Sequence, residues 1–482
     1  MAIKPPTVIT PEEKPTLRAI RNDLLWGLAA GLAGGLLQGG ILHTSLLGGA
    51  LLGGGFGIFF GLVFAKRAWS AGAGLIWGLS SALLLWFVVL AAAMLQAGIH
   101  SSSPLENARN LFPQLAAYLM CLGAPIGLAF GVRGGLRRNN ASPPFRLSRA
   151  IVAGGIAGVV SGLIFGRWMF EGGFFPLIAG LDDIHSQALQ VLLQFCIAFV
   201  IGSTFGLLFQ RDVRGYGSCM GWGLGYTVFW WFAGPLTLFP LMQRTPLNWS
   251  MDGAGSFFGA LVGHILYGLI LGVVYATFDH AWVRLFIQSD PLNRQPEGPG
   301  FRLFHSLELG ALAGLAGGIV SSPFMFAAHV LTNVVGVDTH LSTLSGLLVH
   351  LLVSTAIGMS YGLLFRDEAS SLPMAMSWGW VFGLIWWYAG PLTLLPLMLT
   401  GEIDWRITAV STLLPSLLGH LIYGACTACL FYIFERSYRN RHMLDPRMAA
   451  AELRRLRQVG TPAPALWFFA MGMGVVIPLL LQ

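Results

Sequence analysis

The chain has 482 residues, a length that would make about three soluble domains. Its composition excludes that: 55% of residues are hydrophobic and only 10% charged, where soluble chains carry about 25% charged residues. With a mean hydropathy of +0.69 and 63 glycines, it has too little polar surface to cover itself in water. A soluble enzyme, a disordered protein and a nucleic-acid binder are thereby excluded, and the formal charge of +7 has to be explained by where the loops lie.

Residues 1–21 form a polar, Pro-containing tail without the apolar core of a cleavable signal peptide, so the first apolar segment is expected to direct insertion. Runs long enough to cross a ~30 Å hydrocarbon layer as helices then follow at 22–42, 45–65, 71–96, 111–132, 149–170, 187–209, 217–242, 254–278, 307–331, 342–365, 373–399, 408–434 and 464–481. The expectation is an all-α, polytopic membrane protein of 13 spans. Lys and Arg resist translocation. With a cytoplasmic N-terminus, 24 of the 28 basic residues fall on the inner side, and only Arg109, Arg167, Arg244 and Arg406 stay outside. The C-terminus is then external.

The sequence repeats itself. Trp230-Trp231-Phe232-Ala233-Gly234-Pro235-Leu236-Thr237-Leu238 returns 156 residues later as Trp386-Trp387-Tyr388-Ala389-Gly390-Pro391-Leu392-Thr393-Leu394, and Gly263-His264 with Tyr267 returns as Gly419-His420 with Tyr423. Residues 149–285 and 307–437 are read as duplicated four-helix units. Residues 22–140 read as a degenerate third copy, through Gly27-x-x-x-Gly31, Trp77, Trp86-Phe87 and Gly127-x-x-x-Gly131, but without the Gly-Pro motif or the histidine. An even number of spans per unit makes the repeats parallel, related by an axis along the membrane normal. Residues 438–463 form a basic segment read as an amphipathic helix on anionic lipid at the cytoplasmic face. The helix at 464–482 is expected at an edge of the assembly. Small residues four apart let helix backbones meet in lipid, the main reading of the glycines. The cysteine pair Cys426 and Cys429 is read as packing of the same kind.

Arg167-Trp168-x-x-Glu171, Phe239-Pro240-Leu241-Met242-x-x-Thr245-Pro246 and Gly263-His264 occur in an order that resembles the YagU-like family of bacterial inner-membrane proteins, four-helix units of unassigned biochemistry. The second unit carries the resemblance best; the third has Pro323 where Arg167 would stand. The resemblance implies a bacterial inner-membrane location, with the chain as a tandem triplication of the unit, and no particular reaction.

Ionisable groups inside a bilayer are functional candidates by default, and no Asp, Glu, Lys or Arg lies in the middle of any expected span. The polar interior reduces to His264, His420 and His350, with Gln194 at the position equivalent to His350, and the neighbouring Tyr267 and Tyr423. They either surround a ligand, metal or haem, or each bonds a neighbouring backbone carbonyl. Gly234-Pro235 and Gly390-Pro391, beside Trp231 and Trp387, are expected to break the third helices and to turn the Trp231 and Trp387 carbonyls toward a polar partner, Thr237 and Thr393 being at hand. Broken helices serve transporters as binding sites; the alternative is a bend made for packing. On the outer face Asp183, His185, Asp338 and His340 form two Asp-x-His pairs with the donor types that bind zinc, or simply cap helices.

Three functions remain. The chain is a transporter-like or binding module for a small solute or lipid, with its site between the repeats. Alternatively it is a non-catalytic scaffold in a membrane complex with a protein partner. The third reading is a membrane protein holding a cofactor or metal through histidines. No nucleophile–base pair points to an enzyme, and no feature points to nucleic acid.

Overall fold

A computed structural model describes residues 17–97, 103–137, 145–171, 187–286, 299–327, 343–442 and 463–481, and all regular structure among them is helical. Ten of these helices are long and apolar enough to cross a bilayer, making the chain a multi-pass integral membrane protein. The other three expected spans also contain helix. Leu147–Leu163 and Ala465–Leu481 are shorter apolar stretches, and Tyr216–Ala233 is rich in Gly, Trp and Tyr rather than aliphatic residues. The metal candidates Asp183, His185, Asp338 and His340 lie outside the described residues, as does most of the basic 438–463 segment.

The chain divides into two compact units. Unit 1 takes Met1–Leu85 and Ala117–Arg138; unit 2 takes Trp86–Ala116 and Asn139–Gln482. In unit 1, α1 (Leu17–Ile41) and α2 (Leu46–Val63) pack antiparallel along facing glycines. A Cβ on Gly31 would collide with the Gly53 carbonyl, one on Gly35 with that of Gly49 and one on Gly27 with that of Gly57. α3 (Ala71–Ala97) begins in this unit and meets the last helical stretch of the unit in the same way, Gly74 against Gly127 and Gly78 against Gly123. That stretch runs from a π-helical turn at Tyr118–Gly123 into Ala124–Arg137. Lipid gives helices no hydrophobic reason to associate, so this close backbone contact supplies the packing.

Unit 2 opens with the short helices α4 (Pro104–Asn110) and α5 (Phe112–Ala117), before Ala124–Arg137, which is α6 of unit 1. α7 (Leu147–Glu171) and α8 (Gln187–Phe209) pair through Gly154 against Gly202. α9 (Tyr216–Ala233) continues through a π-helical turn, Gly234–Leu238, into α10 (Phe239–Met242). After α11 (Met251–Ser256), α12 (Phe258–Phe286) returns along α9, Gly268 facing Gly223. The following elements are α13 (Pro299–Ala327), α14 (Thr343–Phe365), α15 (Leu372–Ala389), a second π-helical turn at Gly390–Leu394, α16 (Leu395–Thr400) and α17 (Ile407–His442). Their glycine contacts repeat the earlier ones 156 residues on: Gly310 meets Gly358 and Gly379 meets Gly424. Gly401, at φ 74°, ends α16 in the left-handed region that glycine adopts without strain.

The C-terminal helical stretch departs from expectation. α18 (Ala463–Met471), a π-helical turn and α19 (Ile477–Leu481) do not sit at an edge. Leu466, Phe469, Met473, Ile477 and Leu480 are all at most 2% exposed. Their helix is flanked by α9, α15 and α3: Leu466 reaches Gly221 of α9, Trp467 stacks on Trp380 of α15 at 4.8 Å, and Phe468 meets Phe87 of α3 at 6.2 Å. The Tyr388 hydroxyl donates to the Gly474 carbonyl (3.1 Å), and Arg109 Nε of α4 donates to that of Leu480 (2.8 Å). An apolar segment reads the same in sequence whether lipid or protein surrounds it, which is why hydropathy alone places this helix wrongly.

The glycine contacts give a matched test in α2. Gly53→Ala should lower the unfolding temperature of the detergent-purified protein, by about 1–3 kcal/mol of overpacking, because its Cβ meets the α1 backbone. Gly55→Ala, with open space around its Cβ, should be neutral or slightly stabilising. Equal effects at both positions would refute backbone contact as the source of packing.

Candidate functional site

The expected break in the third helix occurs in α9 and α15 at the Gly-Pro steps, while α3, with Val89-Leu90 there, is an uninterrupted α-helix. Proline cannot donate to its i−4 carbonyl, and the chain widens to π-helical geometry, a common response to such a lesion. Gly234 N–H still reaches the Trp230 carbonyl, and the turn closes with Phe239 N–H on the Gly234 carbonyl. The Thr237 hydroxyl donates to the carbonyl of Phe232 (2.7 Å), one residue beyond the Trp231 carbonyl that the sequence singles out. Thr393 does the same to Tyr388 at 2.8 Å.

A second layer fastens each break. Trp249 Nε1 donates to Thr237 Oγ1 at 2.9 Å, and Trp405 Nε1, 156 residues on, donates to Thr393 Oγ1 at 3.3 Å. Asn248 adds bonds to the carbonyls of Pro235 (3.2 Å) and Leu236 (3.1 Å). The loop after each third helix thus folds back and holds the broken turn from outside. Sequence reasoning missed Trp249 and Trp405, although the repeat shift pairs them.

Trp231 and Trp387 are fully buried. Trp231 Nε1 donates to the Phe257 carbonyl (2.9 Å), Trp387 Nε1 to the Leu413 carbonyl (3.2 Å), and Trp86 Nε1 to the Leu111 carbonyl (2.8 Å). In each case the tryptophan of the third helix pins the start of the returning chain. Gly234 and Gly390 have open space where a Cβ would stand, whereas Pro235 and Pro391 are buried.

The polar interior follows the same pattern. His264 Nδ1 lies 2.7 Å from the Ala260 carbonyl one turn back, and His420 Nδ1 lies 2.9 Å from that of Ser416. His350 Nε2 reaches across to the Gly318 carbonyl at 3.2 Å. Tyr423 donates to the Ser354 carbonyl (2.6 Å), and Tyr267 to those of Gly158 and Ala198 (3.4 Å each). Gln194 is buried in α8 and engaged. Among the described residues no group of three or more His, Cys, Asp or Glu side chains stands together as metal ligands, and the five cysteines are free thiols.

Within each unit, taken by itself, ion pairs join neighbouring helices. In unit 1, Asp23 pairs with Arg133 at 2.9 Å. In unit 2 the order of signs is reversed: Arg149 of α7 grips Asp279 of α12 with two bonds of 2.7 and 2.6 Å, both side chains nearly sealed from solvent. Their equivalents 156 residues on are His305 and Glu435, 3.3 Å apart, and here Arg366 and Arg439 join the carboxylate at 3.0 and 2.9 Å.

Within unit 2 the loop before α15 meets the start of α9. Glu368, in the loop before α15, accepts the backbone N–H of Ser218 at 2.8 Å, capping the positive end of α9 in the other repeat. The approach is tight: a Cβ on Gly215 would lie 2.7 Å from Glu368 Oε1. Burial pushes the Glu368 carboxyl up to about 7, outweighing the Ser218 hydrogen bonds and the Arg214 charge that favour the anion. Burial likewise lowers Arg214, against the charges of Glu368 and Asp212.

Comparison with protein-family models, curated proteins and solved structures finds no match to this chain.

Two outcomes are expected. Thr237→Val should strip Trp249 Nε1 and the Phe232 carbonyl of their shared hydroxyl and cost about 1–3 kcal/mol, read as a lower melting temperature; an unchanged temperature would show that the hydroxyl fastens nothing. Glu368 gives a pH signature. Its folded value lies above the ordinary 4.5, so the buried charge carries no penalty below about 4.5, and stability falls as pH rises through about 7, by on the order of 3 kcal/mol. Melting at pH 5 and pH 8 should show this fall in the native protein and not in Glu368→Gln, which keeps an acceptor for Ser218. Identical pH profiles would refute it.

Proposed function

We propose that the protein is a non-catalytic scaffold or assembly subunit of the bacterial inner membrane. It is built as three parallel four-helix repeats, thirteen spans in all, with a cytoplasmic N-terminus and an external C-terminus, and is akin to the YagU-like proteins in its second unit. The observation that carries the reading is the burial of Leu466, Phe469, Met473 and Ile477 among the third helices of unit 2. The apolar helix fills space among these helices, and the broken turns are fastened by Thr, Asn and Trp bonds, which supports a packed interior over a solute site. His264, His350 and His420 each direct one ring nitrogen to a backbone carbonyl, which supports a structural role for them over a cofactor site. The distribution of Lys and Arg supports the orientation, because the Arg149, Arg366 and Arg439 end coincides with the basic loops.

A second reading, a binding module for a small solute or lipid, is favoured by one feature: a cavity of about 340 Å³ at the arginine-rich end of the third repeat.

Reconstitution separates scaffold from transporter. Proteoliposomes of the pure chain should pass glycerol, urea and K⁺ no faster than empty liposomes. The tagged chain, extracted from its own membrane in a mild detergent, should run as a complex of fixed stoichiometry above its own 51.9 kDa. Protein-dependent flux, or a solitary chain under all mild conditions, would contradict the proposal.

A further inference from the structure

The 340 Å³ cavity is walled by the ends of α14, α15 and α17. Phe365, Leu372 and Asn440 on its wall are also the terminal residues of three apolar spans, Leu344–Phe365, Leu372–Thr400 and Ile407–Asn440. The cavity therefore lies at the level where hydrocarbon gives way to polar surroundings. Its inner side is aromatic: Tyr361 packs on Phe365 and Phe431 with ring centroids 5.1 and 5.6 Å apart. Its outer side is cationic. Arg366 and Arg439 share the Glu435 carboxylate, and Arg439 also reaches Asp367 at 3.3 Å, itself paired with Arg302. Arg436 is exposed and has no ion-pair partner among the described residues. Four arginines, Arg302, Arg366, Arg436 and Arg439, thus stand about two carboxylates, Asp367 and Glu435, and positive charge is in excess. Ser370 and Ser371 add hydroxyls at the rim.

The corresponding place in the second repeat lacks this character. Gln210, His280 and Val283 stand 156 residues before Arg366, Arg436 and Arg439, and Arg149 there is neutralised by a two-pronged bond to Asp279. The excess charge belongs to the third repeat and is not needed to hold a four-helix unit together.

We propose that this cavity binds a phosphate group, presented either by an anionic phospholipid headgroup or by soluble phosphate. Guanidinium forks match phosphate oxygens in geometry and charge, and a volume near the lower limit of small-molecule sites, ~300 Å³, suits a headgroup rather than a whole lipid. The aromatic inner wall beside the cationic rim suits a ligand whose phosphate stays polar while its glycerol and first methylenes turn toward hydrocarbon. This names the ligand class of the second reading above and rests on it; binding is measured directly, so its outcome is independent of flux or of complex formation.

The test uses the full chain, delipidated in neutral detergent, with three probes: phosphatidylglycerol, phosphatidylcholine with the same acyl chains, and inorganic phosphate. Phosphatidylglycerol should raise the melting temperature and bind more tightly than phosphatidylcholine. Arg436→Gln with Arg439→Gln should weaken binding at least tenfold. Arg436→Gln alone, which breaks no described ion pair, should weaken it several-fold and guards against misfolding of the double variant. Arg406→Gln, whose guanidinium pairs with Asp404 far along the sequence from the cavity wall, should bind as the native chain does. Protection by millimolar inorganic phosphate that is lost in the same variants would identify soluble phosphate as the source; protection by the lipid alone would identify the headgroup. Binding unaffected by Arg436→Gln, or no binding of either anionic probe, would overturn the proposal.

Discussion

Inside a hydrocarbon layer no water stands ready to bond a backbone carbonyl, and each one left unpaired costs several kcal/mol. That constraint organises unit 2. At several breaks and close approaches a side chain serves a carbonyl: Thr237 serves Phe232, Trp231 serves Phe257, Tyr423 serves Ser354, and Tyr388 serves Gly474. The residues that look most like ligand contacts in the sequence are largely these servants of the backbone. Glycine does the complementary work, letting helices approach until only backbone lies between them.

The class of fold was legible because hydropathy and loop charge are one-dimensional signals. The broken third helices were legible too, since Gly234-Pro235 and Gly390-Pro391 impose a local defect that no packing can repair. What the sequence concealed was three-dimensional. Leu466 and Phe469 belong to an interior helix, yet a lipid-facing helix would have the same composition. Trp249 and Trp405 lie in loops, and only folding back of those loops brings them to Thr237 and Thr393. Glu368 looks like a loop carboxylate until its contact with Ser218 shows it bridging two repeats. The histidines kept two readings because spacing shows which residues share a helix, not which carbonyl each ring meets.

The ends of the first and fourth helices show how a duplicated frame diverges. Asp23 and Arg133 satisfy the same need as Arg149 and Asp279 with the signs exchanged, so what matters there is neutrality between the two helices, not the identity of either partner. The third repeat departs from neutrality. Glu435 is shared among His305, Arg366 and Arg439, and Arg436 is added outside. Balanced pairs join the helices, and the excess of arginine lies beside the cavity.

The central claim is that an interior apolar helix lies among α9, α15 and the end of α3 within unit 2. A diazirine-bearing phenylalanine placed at position 469 and activated in native membranes tests it most directly, with Leu192, 58% exposed, as the lipid-facing reference. The account predicts that position 469 crosslinks within the chain, to peptides of the third helices, while position 192 yields lipid adducts. Lipid adducts at position 469, or insertion of water there, would contradict it.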